Sequence, residues 1–173
     1  DGKLVAEYDS PTGRTGTEET KAVLETSGEY RLEISVLERT KVTGKYEISF
    51  KEQREATPND AKRFQAVIAY QEGMKLRGQR TVATVKEAVL KFDKAAKLME
   101  ELGDKKEQGI AIADKGLSYQ SIADYDNAIP VYKAAIQIFD ELKDYKNKRT
   151  VLNNIGFVKS RISDYQEALF YFH

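Results

Sequence analysis

Two strings forty positions apart carry nearly the same text: IADYDNAIPVY at residues 122–132 and ISDYQEALFYF at residues 162–172. A period of that length is too long for one ordinary helix and fits a pair, so it commits this part of the chain to an array of stacked helical hairpins. Shifting the sequence by the same forty residues aligns Ala88, Ala128 and Ala168, then Phe92, Tyr132 and Phe172, and also Gly116 with Gly156, Tyr125 with Tyr165 and Leu102 with Leu142. A small residue four positions before an aromatic one marks a single face of a helix. The glycine twelve positions before Ala128 and before Ala168 falls on the preceding helix, where it lets two axes approach closely while the ring fills the next layer.

These residues carry a resemblance. Ile112, Gly116, Ala128, Tyr132 and Ala135, and again Leu152, Gly156, Ala168 and Phe172, resemble the tetratricopeptide repeat (TPR), in which antiparallel helices A and B carry a small residue on A, then alanine and a bulky aromatic on B. The spacing exceeds the common repeat of about 34 residues. With DYxxA and LNNIG it is similar to the longer-helix variety of kinesin light chains and many bacterial scaffolds. The resemblance covers residues 61–173 and implies three helix pairs, at 61–102, 104–142 and 144–173, stacked as a right-handed solenoid. The first pair departs from the pattern, with Leu76 where glycine is expected and RGQRTVATV in place of a compact turn.

Helix boundaries are written in capping chemistry. Thr57, Pro58 and Asp60 read as N-cap, first helical residue and a carboxylate at the positive end of the helix dipole. Gly103 ends one helix, Asp104 caps the next with Glu107 closing a capping box, and Asp124, Asp144 and Asp164 punctuate the remainder. Pro130 conflicts with a helix starting at Tyr125, because its ring meets the Asp126 carbonyl at a cost of about 3 kcal/mol, so a kink or a start near Asn127 is expected.

The first fifty residues follow a different period. In GEYRLEISVLE, Tyr30, Leu32, Ile34 and Val36 alternate with Arg31, Glu33 and Ser35, and GKYEISF repeats the alternation with Tyr46, Ile48 and Phe50. With KLVAEYD, this predicts an antiparallel sheet with one apolar face over residues 1–52, then a connector over 53–60. These strands resemble the end of the prepeptidase-like beta-sandwich that precedes such repeats in large bacterial proteins, some of which close in a caspase-like CHAT peptidase domain. The expected fold class is therefore α+β, a partial antiparallel beta-sandwich followed by an all-α TPR solenoid, in a fragment of a longer protein. An incomplete sheet and an end where Leu169, Phe170 and Phe172 need cover make self-association an expectation.

Composition narrows the chemistry. Lys and Arg number 28 against 28 Asp and Glu, so no net field steers the chain toward nucleic acid, and the KLRGQR cluster (Lys75, Arg77, Arg80) reads as a solvated turn. No cysteine is present and His173 is the single histidine, which leaves no thiolate nucleophile and no Cys–His pair. Carboxylates are plentiful without forming a catalytic pair, and Gly13 and Gly16 sit in a loop with no helix following, which fails the context of a phosphate cradle. No cofactor, no metal and no membrane span is expected.

What remains is binding. The resemblance places ligand contacts on helix A: Asp114, Leu117, Gln120 and Ser121 in one unit, and Asn153, Asn154, Phe157, Ser160 and Arg161 in the next. Carboxamides such as Asn153 and Asn154 can donate to and accept from a peptide backbone, or they can brace a neighbouring helix. The carboxylate clamp of some repeats needs Lys and Asn where Ala113 and Leu117 stand, which disfavours that ligand. The resemblance implies a non-catalytic scaffold for a peptide or protein segment. The alternative is a regulatory or substrate-recruiting piece of a larger bacterial enzyme such as a CHAT-type peptidase.

Overall fold

A computed structural model describes residues 23, 24, 49 and 54–172. The strand readings of the N-terminal stretch lie outside the described residues. Among the described residues six helices follow one another: α1 (Pro58–Gly78), α2 (Val82–Glu101), α3 (Lys105–Ser121), α4 (Tyr125–Glu141), α5 (Tyr145–Arg161) and α6 (Tyr165–Phe172). Each packs on its neighbours in sequence, and α3 also touches α5 across the hairpin between them.

Every connection has the same length and backbone device. Three residues separate successive helices, and one of them takes a left-handed conformation: Arg80, Gly103, Ala123, Lys143 and Ser163 have φ of 59, 71, 58, 54 and 64°. The turn after α1 is thus as compact as the others, contrary to the sequence expectation. α1 starts at Pro58 behind a full capping box, with the Thr57 amide donating to Asp60 (2.8 Å) and the Asp60 amide donating to Thr57 Oγ1 (3.2 Å). The box expected at α3 does not form. Asp104 makes no side-chain cap bond, and its carboxylate is paired with Arg63 of α1 instead.

Of the two outcomes expected at Pro130, the later helix start does not occur. α4 begins at Tyr125, not near Asn127, and runs unbroken through the proline to Glu141. The first turn is secured before the ring is met: Asp124 accepts from the Asn127 amide, and the Ala128 amide donates to the Asp124 carbonyl at 3.0 Å. Pro130 and Asp126 are both exposed, so the carbonyl deprived of its partner faces water.

The repeat is realised as close approach of helix A to a helix B ring. Ala88, Ala128 and Ala168 are all buried, as the period requires. A Cβ built on Gly116 would lie 2.7 Å from the Tyr132 ring, and one on Gly156 would lie 2.7 Å from Phe172. In the first pair the same part is played by Gly73, whose Cβ would lie 2.9 Å from Phe92. The glycine is therefore present three residues before Leu76. The displacement comes from α2, which carries an additional N-terminal turn, Val82 to Thr84, ahead of the segment equivalent to the start of α4.

That turn depends on Thr81, whose Oγ1 accepts from the Thr84 amide at 3.2 Å. Thr81→Ala is expected to cost about 1 kcal/mol of stability. Urea unfolding measures it, and an unchanged midpoint would show that the turn is held by packing alone.

Candidate peptide-binding groove

Helices α1, α3 and α5 occupy the A position of the three pairs, and their shared side carries the candidate ligand residues. A groove of about 160 Å³ opens between α3 and α5, lined by Ile110, Asp114 and Leu117 from one helix and Thr150, Val151 and Asn154 from the other. The period places them there: Gly116 on α3 and Gly156 on α5 press on helix B rings, which turns Asp114 and Asn154, two residues earlier, to the opposite side.

Three of the nine sequence-derived site residues, Asp114, Leu117 and Asn154, meet in this groove. The other six do not line it. Gln120 accepts a hydrogen bond from the Tyr132 hydroxyl (2.7 Å), while Ser121 and Ser160 donate to the carbonyls of Ser118 and Phe157 at 2.7 and 2.8 Å. Asn153, Phe157 and Arg161 are exposed on α5.

Asp114 is engaged inside the protein. Its carboxylate accepts from the Tyr70 hydroxyl (2.6 Å) and from Arg77 Nη1 (2.6 Å), both on α1, and both charged side chains are more than four-fifths buried. Arg77 stands over the Phe92 ring, 5.5 Å from its centroid, and does not belong to a solvated turn as KLRGQR implied. Burial, with the Asp114 carboxylate alongside, pushes the Tyr70 phenol well above its ordinary range, which keeps it a hydrogen-bond donor. Tyr132 is raised in the same way, chiefly by burial.

The sequence reading missed Tyr70, Met74 and Arg77. Gly73 was the available signal, since counting from it makes Met74 the equivalent of Leu117 and Phe157, each one residue after its glycine.

A second hollow of about 380 Å³ lies on the other side, among α2, α3 and α4, with Ile112, Pro130 and Ala134 along it. One of its two carboxylates, Asp93, is held below the usual range by hydrogen bonds from Lys115 and Lys97, at 2.6 and 2.8 Å. No group of acidic, His or Cys side chains among the described residues could hold a metal ion, and no described helix is long and apolar enough to cross a membrane.

With stacked pairs, a small residue under each helix B ring and a groove along the A helices in view, the comparison with known families is decisive for one region. Residues 107–172 match the tetratricopeptide repeat family. No curated protein and no solved structure matches the chain. The matched stretch takes in nearly all of α3 and α4, then α5 and α6. The TPR is typically a non-enzymatic module that mediates protein–protein interaction. The α1–α2 pair, outside the matched stretch, packs by the same glycine-under-ring device.

Proposed function

We propose that this chain is a non-catalytic scaffold that holds a peptide or protein segment along the A helices, in the groove between α3 and α5. The observation that carries the reading is the convergence of Asp114, Leu117 and Asn154 from two helices onto one open groove within the TPR-matched segment. LNNIG, the string behind the likeness to kinesin-light-chain repeats, lies on α5 and supplies Asn153 and Asn154 to this side.

The test is capture of partners from the source cell by the intact chain and by an Asn153→Ala/Asn154→Ala form. Loss of about nine-tenths of the captured partner is the expected result, equal to roughly 1.4 kcal/mol of binding free energy. Because Asn154 is half-buried, Asn153→Ala alone and an unfolding midpoint accompany it. Equal capture by a folded double variant would remove the groove assignment.

A further inference from the structure

We infer that the protein pairs with a second copy of itself on a two-fold axis through α6, where Tyr165, Leu169 and Phe172 form one uncovered apolar stripe. The inference is independent of the groove reading, which concerns the A helices. At about 100° of rotation per residue, positions i, i+4 and i+7 share one side of a helix. The same side of the two earlier B helices is covered. Val85, Val89 and Phe92 of α2 are 1, 7 and 0% exposed, and Tyr125, Ile129 and Tyr132 of α4 belong to a core shared with Val151, Ile155 and Val158 of α5. On α6 the equivalent residues are 64, 60 and 50% exposed. Among the described residues α6 packs on α5, and no helix covers the stripe. The stripe itself carries no charge. Glu167 and Asp164 beside it are bonded to Lys159 at 2.5 and 3.2 Å, so pairing strands no carboxylate.

What can cover the stripe is narrowed by the residues the chain offers it. A second copy added head to tail would bring up α1. Counted from Gly73 as Val151, Ile155 and Val158 are counted from Gly156, the face it would present carries Ile68, Glu72 and Lys75. Glu72 and Lys75 are exposed, and pressing them onto apolar rings would desolvate two charges. Stacking of a further helix B half of the usual kind is opposed by α5: Phe139 seats on Gly109, the same position of α1 is the fully buried Ala66, and α5 carries Arg149 there. A second α6 meets neither obstacle, because a two-fold interface uses the same patch on both copies. Leu169 stands mid-stripe, so the axis sets the two Leu169 side chains together and Tyr165 of each copy against Phe172 of the other. With large aromatic side chains covering about 150–250 Å² each, the stripe leaves roughly 300–400 Å² of apolar surface open per copy. Doubled, that lies below the roughly 1,200 Å² of a standard interface, so the dimer is weak, with a dissociation constant on the order of 10–100 µM. Phe170, 77% exposed, is turned away from the stripe and takes no part.

The experiment is analytical ultracentrifugation of the full chain over about 1–300 µM, a range that brackets a weak interface, beside Leu169→Glu. Expected is a species of two copies that grows reversibly with concentration and reaches no larger size. Leu169→Glu should stay monomeric to the top of the range, and its site is exposed, so an unchanged unfolding midpoint at low concentration checks that the variant folds. The chain has no cysteine, which permits a second readout. Under mild oxidation Leu169→Cys should form a disulfide-linked dimer about tenfold or more faster than Leu90→Cys, whose site on α2 is also exposed but lies off the axis. A wild-type chain that is monomeric throughout, a dimer that survives Leu169→Glu, assembly that continues past two copies, or equal cross-linking at the two positions overturns the inference. None of these outcomes touches the groove reading.

Discussion

Gly116→Val is expected to lower the unfolding free energy by roughly 3 kcal/mol or more, at the upper end of what overpacking a core costs. A Cβ at residue 116 would lie 2.7 and 2.8 Å from Cδ1 and Cε1 of Tyr132, distances at which something must move. The ring cannot swing out: Tyr132 is fully buried and its hydroxyl donates to Gln120. Helix propensity predicts the opposite sign, since removing an interior glycine normally gains a few tenths to about 1 kcal/mol. Gly78→Ala isolates that second effect, because nothing lies within 4 Å of the added methyl. Urea unfolding followed by helical circular dichroism should show residue 78 unchanged or stabilised by up to about 1 kcal/mol and residue 116 strongly destabilised. A Gly116→Val protein as stable as wild type would mean that the close approach of α3 to α4 is not what holds the repeat.

The contrast between these glycines also shows what the sequence could and could not reveal. Gly116 and Gly156 were legible because the repeats they belong to are of equal length, so one shift aligned glycine, alanine and ring together. Gly73 escaped for a local reason: the extra turn of α2 places it forty-three positions before Gly116, and a fixed shift lands on Leu76. Met74 was lost with it. Asp114 illustrates a different limit. Its place on the groove side follows from periodicity, yet its partners lie 37 and 44 positions away on α1, and no local pattern reports a contact at that separation. Asp104 was read as an ordinary N-cap and proves to pair with Arg63, again across repeats. Positions set by spacing were readable, whereas the commitments of individual charges between helices were not.

Those commitments give the second large effect. Asp114→Ala should destabilise the protein by about 2–3 kcal/mol, somewhat below the 3–5 of a fully buried pair because Arg77 and Asp114 retain 17 and 18% exposure. The loss comes mainly from what is left behind: Arg77 keeps the Phe92 ring, the Met74 sulfur and a long bond to the main-chain carbonyl of residue 114 (3.4 Å) in place of a carboxylate, and the Tyr70 hydroxyl loses its acceptor. Arg77→Met should cost less, since Asp114 would still accept from Tyr70. The Asp114→Ala/Arg77→Met pair should therefore cost less than the two single changes added together, by about 1 kcal/mol or more. Repeat arrays couple through nearest-neighbour interfaces, so the damage should be local. Amide hydrogen exchange should then lose protection first in α1 and α2 while α4 and α5 keep theirs. A strictly additive cycle, or a uniform loss across all helices, would show that this ion pair does not join the first pair to the second. Capture of a partner by the Asp114→Ala protein separates structure from recognition: if the carboxylate works only as the tie to α1, a ligand spanning α3 and α5 alone binds nearly as before.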